Sequence, residues 1–582
     1  MILESATSLL QTQKPQAPAN ADALKLVLVS ANTAESLTRR VDQIRQYWEA
    51  KPERIHDLAY TLGQRREHLL YRCFGLAHKD RPLEIFPHHR SRPTPSSVIF
   101  LFTGQGAQWP GMGVGLLEGF PSFREDMKRL DQVLQALDQP PNWSLIEELT
   151  KNGEESRVYD TELSHPICTA VQIGLVNLMK QWNIHPAAVI GHWGGEIAAA
   201  YAAGAITMDA AFLIGFYRGQ VSKQITQDGA MAVIGLSAEE ITPYLVDGVV
   251  IACENSAQNT TISGDAAALN DVMAQIQSAH PGKLCRKLRV DKAYHSHHLR
   301  GLGEIYESSL THCVVSMEPT VPFYSSVTGT FLPDSMDLDA HYWRQNYESR
   351  VRFRSAVEAI LRSDSEPLPK VFVEIGPHSA LVGPLREISR QGKLGDGIAY
   401  SPTLVRGEEP MRCLLSMAGH IFLQNVPICL AAINGEGDVL TDVPAYPWQH
   451  DSRYWNESRL SRDWRLRRFG NHELLGSRVP ESPESEPIWR NILKLENVPW
   501  LRDHSIGGKP TFPGTAYIAS IGEAIRQVTG CRSYAIRRLV LPAALVLEES
   551  SPIEIVTGIR PSRLSDRLDS EWFDFTIFLQ WQ

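Results

Sequence analysis

Cysteine is sparse and scattered in this sequence of 582 residues. Cys73, Cys168, Cys253, Cys285, Cys313, Cys413, Cys429 and Cys531 never form a Cys-x-x-Cys pair, which makes a zinc ribbon or a disulfide scaffold a poor reading. Long apolar runs are also missing. The best, Leu539–Leu547, is short and interrupted by Pro542, whereas a membrane-spanning helix needs about 20 apolar residues. Positive charge is not in excess: 57 Lys and Arg against 66 Asp and Glu leave a net charge of −9, so no concentrated positive field favours nucleic acid. The start of the chain, MILESATSLLQTQKPQ, carries Glu4 and no basic stretch, unlike a secretory signal. Internal repeats and low-complexity tracts are absent. Together these absences predict a cytoplasmic, multidomain protein with no membrane and no nucleic-acid partner. What is present is an ordinary globular balance, 43% apolar and 21% charged, and a length that allows roughly four folding units.

The first twenty residues, rich in Gln, Pro, Ala and Asn, read as a tail or linker. Lys25–Val29 predicts a strand and Ser36–Lys51 a helix, because Leu37, Val41, Ile44 and Trp48 fall on one face. Pro82–Ser96 is crowded with Pro, His, Arg and Ser and predicts a linker. From Ser97 to Arg406 short apolar runs alternate with helical stretches, an α/β pattern. Ser97–Thr103, Ala188–Gly191 and Lys370–Ile375 are its clearest strands. Gly229–Lys292 reads as an inserted subdomain, with strands at Met231–Gly235 and Val249–Ala252 and helices led by Ser237 and Asp265. Thr441–Arg468, rich in Pro, Trp, Tyr and Arg, predicts a connector lying on a surface. A strand-rich block with a helix at Ile518–Thr529 begins near His472 and continues to Gln582.

The most informative stretch is AAVIGHWGGEIAAA, Ala187–Ala200. An apolar strand ends in Gly191-His192-Trp193-Gly194-Gly195 and leads directly into an Ala-rich helix, the spacing of a nucleophile elbow. The glycines let the turn close and lift its middle residue to the helix N-terminus, where backbone N–H groups stabilise an oxyanion. A plain Gly-rich turn has the same spacing. Five further motifs stand around it: FTGQGAQWPGMG (Phe102–Gly113), FYRGQ (Phe216–Gln220), ACENSAQNTTISGD (Ala252–Asp265), AYHSHHL (Ala293–Leu299) and VEIGPHSAL (Val373–Leu381). In this order and spacing they resemble the acyltransferase domain of type I polyketide synthases, particularly the fungal highly reducing kind. The resemblance implies an α/β-hydrolase-like domain with an inserted ferredoxin-like subdomain. It implies malonyl-CoA as donor, a phosphopantetheinyl acyl carrier protein as acceptor, no bound cofactor, and a place in secondary metabolite biosynthesis.

By the same resemblance His295 is the general base and Arg218 the fork that holds a malonyl carboxylate. Gln105 and the backbone N–H of Gly194 form the oxyanion site. Asn346 is the amide supporting the histidine, and Tyr294 is the aromatic of malonyl-using members. His295 and Arg218 also have plainer readings, as a packed or surface histidine and as a helix-surface ion pair. The cluster Tyr294–His298 is not read as a metal site, because no carboxylate accompanies its close-set histidines in a ligand pattern.

Two positions depart from the family pattern. Trp193 stands where the nucleophilic Ser belongs, and an indole N–H cannot form an acyl ester. His165, in LSHPICTA, stands where relatives usually carry Gln. An inactive acyltransferase is therefore expected. The open alternatives are slow thioester hydrolysis by water activated at His295, a competent malonyl transferase if the natural residue is Ser, and a non-catalytic pseudoenzyme that docks a carrier protein or another synthase in trans.

The flanks fit the same resemblance. Residues 1–96 are similar to the linker between a ketosynthase and its acyltransferase, 97–406 to the acyltransferase with its small subdomain near 229–292, and 407–469 to the linker that follows. From 470 to 582 the sequence resembles the first hot-dog half of a dehydratase, with His504, Gly508 and Pro513 in the motif PWLRDHSIGGKPTFPGTAY. There the resemblance makes His504 the base that removes the α-proton of a 3-hydroxyacyl thioester. The matching Asp has no candidate in this stretch, so the expectation is a truncated synthase fragment with an incomplete dehydratase site.

Overall fold

A computed structural model describes residues 23–581 apart from 88, 289, 291, 334–335, 364–368, 393–397, 453 and 566–567. The expected N-terminal tail lies outside the described residues. The chain divides into two units, residues 1–449 and 450–582.

The centre of the first unit is a sheet in the order Thr330–Phe331, Phe323–Ser325, Ala188–Gly191, Ser97–Phe102, Lys370–Ile375, Ala399–Pro402. All neighbours are parallel except the first pair. Ser97–Phe102 and Ala188–Gly191 are buried along their whole length, as strands covered by helices on both faces must be. Strand order reverses between Ser97–Phe102 and Lys370–Ile375, and the crevice beyond the carboxyl ends at such a reversal is where ligands bind in α/β sheets. Gln172, on the helix Thr161–Gln181, ties these two ends by donating to the carbonyls of Thr103 (2.8 Å) and Ile375 (3.0 Å).

The inserted subdomain has four antiparallel strands in the order Cys285–Lys287, Gly229–Ile234, Asn259–Asp265, Val249–Ser256. Helices Ala238–Ile241 and Ala266–Ala279 complete a ferredoxin-like βαββαβ arrangement around its own core of Ile234, Ile262, Leu269 and Ile276. Ser237 and Asp265 cap these helices, the first through a capping box with Glu240. Asn259–Asp265 and Cys285–Lys287 were not legible as strands: one reads NTTISGD, largely polar, and the other is three residues long.

A further sheet pairs Lys25–Ala31 with Tyr71–His78 beneath the helices Ala34–Ala50 and Ile55–Gln64. The expected linker at Pro82–Ser96 is partly sheet, because Arg81–Ile85 and His89–Arg90 pair with Tyr71–His78. Pro82 is accommodated on an edge strand, where its missing N–H breaks no central ladder. The connector does lie on a surface at its start. Asp442 accepts from the Tyr47 hydroxyl (2.8 Å), and the Tyr446 hydroxyl accepts from the Asn32 N–H (2.9 Å).

The second unit sets the helix Gly514–Thr529 against an antiparallel sheet of Ser477–Arg478, Ile488–Leu493, Ile553–Ser565 and Leu568–Trp581. Ala516, Tyr517, Ile521 and Ala524 form the helix's buried face. Trp489 on the sheet donates its indole N–H to Gln527 Oε1 (2.8 Å).

Candidate functional site

The strand Ala188–Gly191 and the helix Gly195–Ala202 are joined by a turn in which Trp193 has φ 52°, a left-handed conformation rare for a bulky residue. The flanking glycines are required by close approach. A β-carbon on Gly191 would lie 2.3 Å from the Glu196 nitrogen, and one on Gly195 would lie 2.4 Å from the Phe102 carbonyl oxygen. Gly194 is different: its added β-carbon would meet only His165 Nδ1, at 3.8 Å. The elbow read from the spacing is present, at the carboxyl ends of the central strands.

The Trp193 indole is buried, 8% exposed, within a ring of polar aromatic neighbours. Its centroid lies 5.0 Å from His295, 5.0 Å from Tyr294 and 5.4 Å from His165. The Arg218 guanidinium carbon sits 5.2 Å from the indole centroid, a cation–π contact. Thus the rings of His165 and Trp193, far apart in sequence, touch one another.

His295 is itself left-handed, φ 58°, and its Nδ1–H donates to the Ser349 carbonyl (2.6 Å). That bond leaves Nε2 as the unprotonated nitrogen. Burial, and then the positive charge of Arg218, push its pKa down to about 3. Burial likewise drives His165 well below the ordinary imidazole value, with Arg218 and His295 adding to the effect.

Arg218 is fully buried and bonds Asn346 through Nη1 to Oδ1 (2.6 Å) and Nη2 to the backbone carbonyl (3.4 Å). Asn346 in turn donates Nδ2 to Glu196 (2.9 Å) and to the Trp193 carbonyl (3.2 Å). The reading of Asn346 as the support of the histidine is corrected by these bonds: Ser349 holds His295, while Asn346 fastens the guanidinium to the elbow. Glu196, unmarked in the sequence reading, is the hub. It also accepts from Tyr342 (2.7 Å) and from the Ser326 hydroxyl (2.7 Å) and N–H. Burial raises its carboxyl above the usual range, and these donors partly restore it. A lone carboxylate in the apolar run GEIAAA was the available signal.

Gln105 donates Nε2 to Ser164 Oγ (2.7 Å), immediately before His165. Five buried atoms around the elbow have no hydrogen-bond partner: Trp193 Nε1, His165 Nε2, His295 Nε2, Gln105 Oε1 and Arg218 Nε. Buried polar atoms are nearly always paired, so a cluster of this kind leaves several donors and acceptors able to take further polar groups. His504 is in the second unit and exposed, donating Nδ1–H to the Thr511 carbonyl (2.7 Å) beside the hairpin Ser505–Pro510.

The comparisons with known proteins agree with this fold. The family model for the acyl transferase domain matches residues 99–426, that for the polyketide synthase dehydratase domain 472–580, and that for the CurL-like PKS C-terminal region 25–83. The highly reducing polyketide synthases g433 of Fusarium sp and ALT1 of Alternaria alternata are 47% and 45% identical over 95% of this chain. The chain spans 22% of the length of each. Among solved structures, the acyltransferase domain of module 8 of the salinomycin polyketide synthase matches at TM-score 0.63 and 27% identity, over 70% of this chain and 98% of that one. The acyltransferase domain of SpnD, solved in complex with 2-(pent-4-yn-1-yl)malonyl, matches at 0.61 and 25%, over 70% and 97%. Among the described residues no helix is long and apolar enough to cross a membrane. The chain belongs to the acyl transferase domain family, in the form carried by highly reducing polyketide synthases, and continues into a polyketide synthase dehydratase domain sequence.

Proposed function

We propose that the acyl transferase part of this chain keeps the receptor for a malonyl thioester and a carrier protein but forms no acyl-enzyme. The supporting observation is Trp193 at the elbow tip, its ring packed 5.0 Å from His295. In acyl transfer a hydroxyl at that tip attacks the thioester carbonyl, an imidazole takes its proton, and backbone N–H groups hold the oxyanion. Trp193 offers no such atom and fills the space the carbonyl needs. Loss of a nucleophile alone costs about 10⁶ in turnover in a hydrolase triad. The rest of the receptor is retained: Arg218 is a buried cation held by Asn346, and a guanidinium fork suits a malonyl carboxylate. His295 keeps an unpartnered Nε2, although a pKa near 3 makes it a weak base as it stands.

The test is intact-protein mass after incubation with malonyl-CoA, for the native chain and for Trp193→Ser. No adduct on the native chain and one malonyl on the serine variant are expected. An adduct on the native chain overturns the proposed inactivity. An unlabelled serine variant overturns the claim that the remaining receptor is intact.

A further inference from the structure

The close-set histidines of Ala293–Leu299 lack a nearby carboxylate in the sequence, but the fold supplies one. Asp265 ends the strand Asn259–Asp265 and caps the helix Ala266–Ala279. His297 and His298 stand 32 and 33 residues later, on the short 3-10 turn His297–Leu299. Both Nε2 atoms converge on one carboxylate oxygen, Asp265 Oδ1, at 3.2 Å from His297 and 2.6 Å from His298. The three ligand atoms lie within 4.8 Å of one another.

We infer that Asp265, His297 and His298 form a site for a divalent transition-metal ion, Zn²⁺ by ligand type, that joins the small subdomain to the segment carrying His295. Imidazole nitrogen with carboxylate oxygen is a donor set Zn²⁺ takes readily. With metal–ligand bonds of about 2.0–2.1 Å, tetrahedral ligand atoms sit about 3.3 Å apart. The His297 separation already matches. The His298 separation must widen by about 0.7 Å on the same geometry, and Asp265, with its side chain 49% exposed, has room to swing.

The framework around the ligands is fixed. Ser296 Oγ accepts from the His298 N–H (3.2 Å) and donates to the Ala293 carbonyl (2.6 Å), holding the turn. The two rings stand edge to face at 4.6 Å and 87°. The Asp265 N–H is held by the Gly248 carbonyl (3.0 Å), and a β-carbon on Gly248 would lie 2.5 Å from Asp265 Oδ2, so glycine keeps space beside the carboxylate. On binding, each ring gives its Nε2 lone pair to the metal. Water reaches the remaining coordination position past His297, whose side chain is 36% exposed.

The experiment is calorimetric titration of the full chain, cleared with EDTA, with ZnCl₂, alongside CoCl₂ difference spectra. One saturable site of micromolar affinity and a tetrahedral Co²⁺ absorption band are expected, together with a zinc-dependent rise in melting temperature. His297→Ala, at a partly exposed position, and Asp265→Asn are each expected to weaken that site at least 10-fold, the range seen when metal-site support is lost. Melting in EDTA shows that the His297 variant is folded. A native chain without a saturable site overturns the inference, as does zinc affinity unchanged in His297→Ala.

Discussion

Replacing Trp193 by alanine and, in parallel, by glycine separates two contributions at the elbow. Emptying a buried Trp site costs about 3–5 kcal/mol. Part is returned, because the indole N–H is buried without a partner, a state that itself costs about 1–3 kcal/mol. The alanine variant is thus expected about 2 kcal/mol below the native chain. The glycine variant carries the same lost ring but a different backbone term. At φ 52° a side-chain-bearing residue pays about 1–2 kcal/mol, whereas glycine pays nothing there and loses about 0.4–1 kcal/mol through its freer unfolded chain. Glycine is therefore expected about 0.8 kcal/mol above alanine. In a helix or strand it would fall about 0.5–1 kcal/mol below. Urea midpoints followed by circular dichroism read the order directly. Glycine below alanine by about 1 kcal/mol would refute the left-handed elbow and the reasoning built on it.

Two further outcomes follow from the same site. Gly191→Ala forces a β-carbon to 2.3 Å from the Glu196 nitrogen, so it should cost more than about 4 kcal/mol or prevent folding, while Gly194→Ala, at a helical φ of −59° with only His165 Nδ1 nearby, should melt within a few degrees of the native chain. His295 stays neutral when folded, with its pKa near 3, but takes a proton below about 6.5 when unfolded. The unfolded state then binds more protons, so the native chain's stability margin over His295→Gln should shrink by about 1.4 kcal/mol per pH unit as pH falls from about 6.5 towards 3; equal margins in urea unfolding at pH 7 and pH 5 would refute the depressed value.

The sequence was most readable where one local pattern carried the whole meaning. Ser97–Phe102, Ala188–Gly191 and Lys370–Ile375 were visible because buried parallel strands are continuously apolar. The elbow was visible because two close backbone approaches demand glycine at fixed spacing. The supports were hidden because they are made across the chain. Ser349 reaches His295 with a backbone carbonyl 54 residues away, an atom every residue possesses. Glu196 meets Tyr342 and Asn346 from 146 and 150 residues away. The carboxylate facing His297 and His298 belongs to a different subdomain, so the local motif reads as metal-free. His165 and Trp193 stood out separately as departures, but only the fold makes them neighbours.

The elbow's shape is carried by Gly191 and Gly195, whose close backbone approaches leave no room for a β-carbon. Tryptophan's only codon, TGG, is a single base from the serine codon TCG, so the genetic distance between this packed interior and a reactive hydroxyl is as short as a coding change can be. A serine introduced there would meet the same scaffold, with Arg218, Asn346 and Glu196 already linked around the turn.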